Sequence, residues 1–242
     1  MRTPADRAPI AVPAIPVVAA AEARRPVLRS LWTTVLLDIT GAAFVALGVF
    51  VRAHPLLPWD LEITRAVQSV TFPWFHVLLQ PFDVLGFPPV VGLVYGAIAV
   101  VIYGRGSHWA GGSCAFAGIG GAALNFVTKA LVDRPRPPAE LVRVDQVIPG
   151  SAFPAGHALN FTAFAGFLAY LAWHRSAPRW QRALLVGVLA VMIALMGLAR
   201  IDSGEHWASD VLGGYLLGAL WLAATIRFYR WGERRRRSLS GS

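Results

Sequence analysis

The sequence has few of the residues on which several common kinds of protein site depend. Cys114 is the only cysteine in 242 residues, so an internal disulfide is excluded and a metal site built from several thiolates is not expected. Lys129 is the only lysine beside twenty-one arginines. No glycine-rich nucleotide loop, internal repeat or heptad pattern is present. These absences exclude a disulfide-stapled domain, a repeat protein and a phosphate-loop nucleotide-binding protein.

Charge is scarce as well, and apolar residues fill the chain in long runs. Only 14% of the residues are charged and 56% are hydrophobic, whereas a soluble domain has about 25% charged residues. A transmembrane helix needs roughly 17–25 apolar residues. Six stretches come close to that length: 33–51, 87–104, 109–132, 157–173, 183–199 and 207–226. The sequence therefore predicts an all-α polytopic membrane protein, a bundle of six transmembrane helices occupying residues 29–230.

The segment between the first two predicted spans has a different pattern. Residues 55–86 alternate apolar and polar groups and carry Trp59, Phe72, Trp74 and Phe75. Aromatic side chains favour the headgroup region of a membrane. We expect an interfacial helical segment here, formed by one or two helices on the outer leaflet, with a lid over the site and a simple packed connection as the alternatives.

Both ends of the chain are predicted to be basic cytoplasmic tails, residues 1–28 and 231–242. A signal peptide is the alternative at the N-terminus, but Pro9, Pro13 and Pro16 interrupt its short apolar part. We therefore expect a disordered tail there. The arginine run at residues 234–237 is typical of an anchor to anionic lipid.

The net charge of +9 would suit nucleic acid, but its distribution favours a membrane. If the N-terminus is cytoplasmic, most of the 22 basic residues fall on cytoplasmic segments, as the positive-inside rule requires. We expect no nucleic-acid partner, and a plasma-membrane protein with both termini in the cytoplasm. The same topology places the three polar motifs, described below, at the outer face of the membrane.

Three spaced motifs place polar residues near the predicted helix ends. They read K-x6-R-P from Lys129 to Pro137, P-A-G-H from Pro154 to His157, and R-x5-H-x3-D from Arg200 to Asp210. Phosphoryl transfer needs cations around the phosphate, a nucleophile and an acid for the leaving oxygen. The motifs supply all three kinds of group.

The cations predicted to bind phosphate are Lys129, Arg136 and Arg200. The turn at Ala155 and Gly156 precedes a predicted helix, so its backbone N–H groups are also candidates for binding an anion. Glu205 is expected to be a local cap or salt-bridge partner.

The two histidines of the motifs suit complementary roles. His206 and Asp210 are four residues apart on one helical face, so Asp210 can accept the Nδ1 proton and leave Nε2 free to attack. His157 can begin protonated and give its proton to the leaving alkoxide. The predicted catalytic residues are therefore His206, Asp210 and His157, and no cofactor is expected.

These motifs resemble those of the type 2 phosphatidic acid phosphatase family, membrane lipid phosphatases related to vanadium haloperoxidases. The family motifs read K-x6-R-P, P-S-G-H and S-R-x5-H-x3-D, and the resemblance spans about residues 55–226. It implies a six-helix bundle with an outward-facing site and metal-independent dephosphorylation through a phosphohistidine. It implies that His206, His157 and Asp210 are catalytic and that the three cations bind the phosphate.

This chain departs from the family pattern at two serines, which are Ala155 and Ala199 here. Each change removes a hydroxyl, and one neutral hydrogen bond contributes about 0.5–1.5 kcal/mol. We expect an active enzyme with weaker phosphate binding or an altered substrate. Arg134-Pro135 is an out-of-register copy of the Arg-Pro pair, so Arg134 is the second choice for the phosphate-binding arginine.

The expected partners are a lipid phosphate substrate and membrane lipids, and a homodimer is left open. Polyprenyl diphosphate, phosphatidic acid and phosphatidylglycerol phosphate are the candidate substrates. A lipid phosphotransferase using the same phosphohistidine and a non-catalytic lipid-phosphate-binding protein are the alternatives.

Overall fold

The protein is helical throughout the part that the structure, a computed structural model, describes. That part is residues 16–86 and 88–240, with the backbone alone for residues 16–30, 83, 86, 88 and 240. It contains the helices α1 (Pro16–Ala53), α2 (Pro58–Gln68), α3 (Pro73–Gly86), α4 (Pro88–Gly104), α5 (His108–Val132), α6 (Gly156–His174), α7 (Arg179–Asp202) and α8 (Ala208–Ser240). The predicted all-α class is confirmed.

Both predicted tails differ from the structure in part. The chain forms two compact units, residues 1–39 and 40–242, and the described part of the first is the beginning of α1. Residues 1–15 of the predicted N-terminal tail lie outside the described residues, whereas residues 16–28 are helical. Four alanines between residues 19 and 23 favour that helix. At the other end α8 continues through Ser240, because arginine is also a good helix former.

Several helices are long and apolar enough to cross a membrane. Among the described residues there are four: Leu31–Ala53, His108–Val132, Arg179–Asp202 and Ala208–Leu239. The two other predicted spans coincide with α4, a shorter apolar helix, and with α6, which begins with polar residues such as His157 and Asn160. A multi-pass protein is supported, and the count of six spans stays a prediction.

Helix α6 is the centre of the second unit and packs against α5, α7 and α8. Its aromatic and small side chains, among them Phe161, Phe164 and Phe167, are buried on several sides. Gly214 and Gly218 of α8 let the two backbones approach closely. A methyl group at these positions would lie 2.6 Å from the Ala155 carbonyl oxygen and 2.8 Å from that of Leu159. This close packing fixes the start of α8 against the start of α6.

The segment predicted to be interfacial forms two helices, α2 and α3. Helix α2 buries a polar face, because Asp60 and Thr64 are both inaccessible to solvent. Its apolar Trp59 and Ile63 are exposed instead. This inverted pattern is unusual for a helix in water and indicates that the exposed face of α2 meets something other than water.

Candidate active site

A cavity of about 600 Å³ lies among α4, α5 and α6. Its polar end is lined by Asn125, Lys129, Arg136, Gly156, His157, Asn160 and His206. Its apolar wall is lined by Leu85, Val91, Gly92, Tyr95, Gly96, Ala99, Cys114, Ala115, Gly118, Ile119, Ala122, Phe161 and Met196. The cavity therefore combines a cationic end with a long hydrocarbon surface, and it brings together residues of all three sequence motifs.

The end of α5 places the first motif at this cavity. Lys129 is in the last turn of α5, and Asp133 ends the helix in the left-handed conformation with φ 46°. Pro135, Pro137 and Pro138 then prevent helix from resuming. The chain turns back over the helix end, so that Arg136 reaches the same cavity as Lys129.

The loop that follows α5 is fastened to the site by main-chain contacts. The Lys129 ammonium donates to the carbonyl oxygen of Ser151. The Ala152 N–H donates to the Arg134 carbonyl at 2.7 Å. Arg136 donates from Nη1 to the Glu205 carbonyl at 2.8 Å, and the same nitrogen lies 3.4 Å from Nε2 of His206. Both cations of the first motif are thereby held beside the imidazole.

A tight turn between α7 and α8 places the third motif. Gly204 has φ +68°, and a methyl group there would lie 1.9 Å from the Arg143 carbonyl oxygen, so only glycine fits. The buried Arg200 donates from Nη1 to Glu205 Oε2 at 2.7 Å, which makes Glu205 the salt-bridge partner expected from the sequence. The His206 N–H donates to the Arg200 carbonyl at 3.2 Å.

The contact between His206 and Asp210 is longer than the hydrogen bond that their spacing predicts. Nδ1 of His206 lies 3.8 Å from Asp210 Oδ2. The Asp210 carboxylate has closer partners, since Oδ2 accepts the Trp207 N–H at 2.8 Å and Oδ1 accepts from Arg134 at 2.6 Å. At this distance Asp210 faces the ring as a buried anion and not as a hydrogen-bond partner, while the same oxygen caps α8 through the Trp207 N–H.

The His206 ring is electrically suited to remain neutral. Burial lowers the pKa of His206 well below its ordinary value. The nearby cations Lys129, Arg136 and Arg200 lower this pKa further, and the backbone of Ala152 acts in the opposite direction. A neutral imidazole keeps a lone pair on one nitrogen, which is the form that attacks an electrophile.

Arg134, the second choice for binding phosphate, lies elsewhere. Its side chain is completely buried and donates to Asp60 Oδ2 at 2.8 Å, Asp210 Oδ1 at 2.6 Å and Ser209 Oγ at 2.6 Å. A group enclosed in this way does not reach a ligand in the cavity. Asp60 and Ser209 are also fully buried, and our sequence interpretation missed both residues. The signal that could have identified Asp60 is its four-residue spacing from Thr64, which puts both polar side chains on one face of α2.

The second motif reaches the cavity through Gly156 and His157 but not through Ala155. The Ala155 N–H donates to the Asp210 carbonyl at 2.9 Å, so the prediction that it binds phosphate is wrong for this N–H group. Its methyl group is buried in an apolar cluster with Ile201 and Val211. Ala199 is likewise buried, in a cluster with Phe82 and Met196. The two alanines that stand where the family has serine are therefore both packed among apolar side chains.

Within residues 16–86 and 88–240, no three side chains of histidine, cysteine, aspartate or glutamate are grouped so that they could hold a metal ion.

Two curated proteins are similar in sequence. Phosphatidylglycerophosphatase B of Bacillus subtilis is 25% identical over 179 residues, which cover 73% of this chain and 86% of that protein. The putative undecaprenyl-diphosphatase YbjG of Escherichia coli is 44% identical over 69 residues, 28% of this chain and 30% of that protein.

Two solved structures share the fold. The transmembrane PAP2 type phosphatidylglycerolphosphate phosphatase of Bacillus subtilis superposes with a TM-score of 0.70 at 22% identity, covering 79% of this chain and 94% of that one. LpxE of Aquifex aeolicus superposes with a TM-score of 0.54 at 22% identity, covering 71% of this chain and 96% of that one.

The sequence profile of one family matches the region that contains most of the site. The match is to the PAP2 superfamily and runs over residues 110–234, more than half of the chain. It includes Lys129, Arg136, His157, His206 and Asp210. The chain therefore belongs to the PAP2 superfamily.

Proposed function

We propose that this protein is an integral membrane phosphatase that hydrolyses a phosphomonoester or diphosphate on a lipid through a phosphohistidine, without a metal ion. The observation that carries the proposal is the shape of the cavity, apolar along its length and cationic at one end. A water-soluble phosphate ester would use only the cationic end. A lipid phosphate uses both parts, because its tail buries apolar surface while its phosphate meets the cations.

The dimensions of the cavity suit a hydrocarbon tail. Lys129 and Cys114 both line it and lie on the same helix α5. Their separation in sequence corresponds to about 22 Å of helix at 1.5 Å per residue. Gly92 and Gly96 of α4 leave the opposite wall open, since a methyl group on either would have no neighbour within 4 Å. A single extended tail fits such a groove.

The polar end supplies the groups that the reaction needs. Lys129 and Arg136 line the cavity and stabilise the phosphate oxygens, whereas Arg200, which is buried and paired with Glu205 outside that lining, joins them only if its guanidinium turns toward the phosphate. Neutral His206 attacks phosphorus through Nε2, forming a nitrogen–phosphorus bond as the bond to the lipid oxygen breaks, and His157 gives that oxygen a proton. Water then attacks the phosphohistidine, His157 takes the water proton, and inorganic phosphate leaves.

Asp210 contributes through its charge. As His206 attacks, its ring gains positive charge, and the carboxylate 3.8 Å away stabilises that charge in a buried site where water screens little. This interaction strengthens on the way to the transition state, so it lowers the barrier rather than strengthening substrate binding.

We place both termini in the cytoplasm and the polar end of the cavity at the outer face, with α4 and α6 completing six spans. The distribution of basic residues supports this topology. The relatives support substrates of two kinds, a phosphatidylglycerol phosphate for one and an undecaprenyl diphosphate for the other. A phosphatidic acid is the third candidate.

The test is release of inorganic phosphate by purified protein in detergent from these three lipids, in the presence of EDTA. We expect release from at least one lipid at the same rate with and without the chelator. Loss of release in EDTA that Mg²⁺ restores would overturn the metal-independent mechanism. Consumption of the lipid without phosphate release, but with a phosphorylated acceptor lipid, would identify a phosphotransferase instead.

Replacing Gly96 by leucine should separate the tail groove from the chemistry. The new side chain projects from an open position on the apolar wall. We expect kcat/KM for a long-chain lipid phosphate to fall about tenfold or more, since the loss of about 1.4 kcal/mol of tail contact is enough. Hydrolysis of p-nitrophenyl phosphate, which has no tail, should be unchanged.

The matched control is Gly187→Leu on α7. This glycine is also helical and also has open space around it, but it does not line the cavity. Gly187→Leu should leave both substrates unaffected. Equal loss in the two variants, or equal loss for the two substrates in Gly96→Leu, would show that the apolar wall does not bind the tail.

A further inference from the structure

We infer that Asp60 and Arg134 position the carboxylate of Asp210 beside His206, so that helix α2 takes part in the reaction without touching the substrate. The inference rests on the proposed function, because it gives these residues a task in the same phosphoryl transfer. Neither Asp60 nor Arg134 lines the cavity. They are therefore positioning residues rather than catalytic ones.

The carboxylate of Asp60 is fully buried, and both of its oxygens have partners. Oδ1 accepts the Ser209 N–H at 2.8 Å. Oδ2 accepts the Ser209 hydroxyl at 2.5 Å and Arg134 Nη2 at 2.8 Å. Since Ser209 is in the first turn of α8, Asp60 caps that helix from a different helix and ties α2 to the element that carries Asp210.

Arg134 transmits this contact to Asp210. Its Nη1 donates to Asp210 Oδ1 at 2.6 Å and to the Ser209 hydroxyl at 2.6 Å, while Nε donates to the Pro55 carbonyl at 3.0 Å. The guanidinium is planar, so contacts on three nitrogens fix its orientation. With one oxygen held by Arg134 and the other by the Trp207 N–H, the Asp210 carboxylate cannot rotate away from His206.

The charges of the network matter as much as its geometry. One guanidinium lies between two carboxylates, so the group of Asp60, Arg134 and Asp210 carries a net negative charge in a buried site. The guanidinium of Arg134 is attracted to both carboxylates, so its pairing with Asp60 weakens its neutralisation of Asp210. If Asp60 were neutral, Arg134 would pair with Asp210 alone and reduce the negative charge available to the developing imidazolium of His206.

The variant that tests this inference is Asp60→Asn, which keeps the size of the side chain and removes its charge. We expect kcat for the lipid substrate to fall about 10–100-fold, the range seen when an orienting partner behind a metal ligand is lost. KM should be unchanged, because the altered group does not contact the substrate. A purely structural role would lower the amount of folded enzyme without producing this split between kcat and KM.

Asp202→Asn is the matched control. Asp202 is also a nearly buried carboxylate at the same end of the molecule, but its partners are His76 and Arg143, each at 3.1 Å. Because its carboxylate pairs with His76 and Arg143 and not with Arg134 or Asp210, kcat should stay close to that of the unaltered protein. Unchanged kcat in Asp60→Asn, a loss confined to KM, or an equal loss in Asp202→Asn would each overturn the inference.

Two further arms keep the test decisive. If Asp60→Asn does not fold, Ser209→Ala removes the hydroxyl shared by Asp60 and Arg134, and it should lower kcat at constant KM. If the unaltered protein releases no phosphate from any lipid, the proposed function fails. Thermal unfolding then tests separately whether Asp60, Arg134 and Asp210 form one coupled network. If the shifts in unfolding temperature caused by Asp60→Asn and Asp210→Asn are not additive in the double variant, the coupling is supported, and additive shifts would overturn it.

Discussion

Replacing His206 by alanine should abolish phosphate release, with a loss of at least about a thousandfold in kcat. The imidazole is buried at the polar end of the cavity, and Nε2 lies 3.4 Å from Arg136 Nη1. Removing it leaves the cations in place, so lipid phosphate still binds but has no nucleophile to attack it. KM, or a binding constant where turnover is too slow, should therefore change much less than kcat.

The same variant tests the covalent intermediate. A brief reaction with lipid labelled in its phosphate, stopped with alkali, should leave label on the protein, because a nitrogen–phosphorus bond survives base and is broken by acid. The label should be absent from His206→Ala. The matched control is His174→Ala, an exposed histidine at the other end of α6, which should keep both label and turnover.

Two results would contradict a phosphohistidine at this position. One is label that persists in His206→Ala, which would assign the nucleophile to another residue. The other is full turnover without any trapped label in either protein, together with full activity of His206→Ala. Loss of activity accompanied by loss of the folded protein would be checked by size-exclusion chromatography of both variants.

Replacing Arg134 by methionine should destabilise the protein more than any surface change. Methionine preserves much of the volume and removes the charge. Asp60 and Asp210 would then remain as two fully buried carboxylates without the cation that separates them. Removing one partner of a buried ion pair costs about 3–5 kcal/mol, because the charge left behind has lost its partner and is still shielded from water.

The measurement is thermal unfolding in detergent, with Arg143→Met as control. Arg143 lies in the same loop, but its side chain is 45% exposed and pairs with Asp145 and Asp202 near the surface. Removing such a pair should cost about 1 kcal/mol or less. Adding Asp60→Asn to Arg134→Met should restore part of the stability, because it removes one of the two unpaired carboxylates.

This experiment also decides between two roles for Arg134. If Arg134→Met unfolds at the same temperature as the unaltered protein but binds lipid phosphate weakly, Arg134 contacts the substrate and the sequence was right to make it the second candidate. Strong destabilisation with partial recovery in the double variant supports the buried network instead.

The sequence determined the helical class, the family and the residues that meet at the cavity. Lys129, Arg136, His157 and His206 lie at the ends of apolar stretches, and a chain that crosses a membrane repeatedly must bring alternate helix ends to the same face. Phosphate chemistry requires those residue types, so pattern and chemistry both point to them. Helix limits were less predictable, because alanine extends α1 back to Pro16 and arginine extends α8 to Ser240, within the predicted tails.

Only the tertiary structure decided which charges are paired. The spacing of Arg134 suggests a phosphate ligand, yet its partner Asp60 lies 74 residues away in helix α2. Likewise, the four-residue spacing of His206 and Asp210 predicts a hydrogen bond, whereas the carboxylate is engaged by Arg134 and Trp207. Sequence spacing fixes distances within one helix, but the partner of a buried charge is set by packing between distant segments, where every buried carboxylate must find a donor.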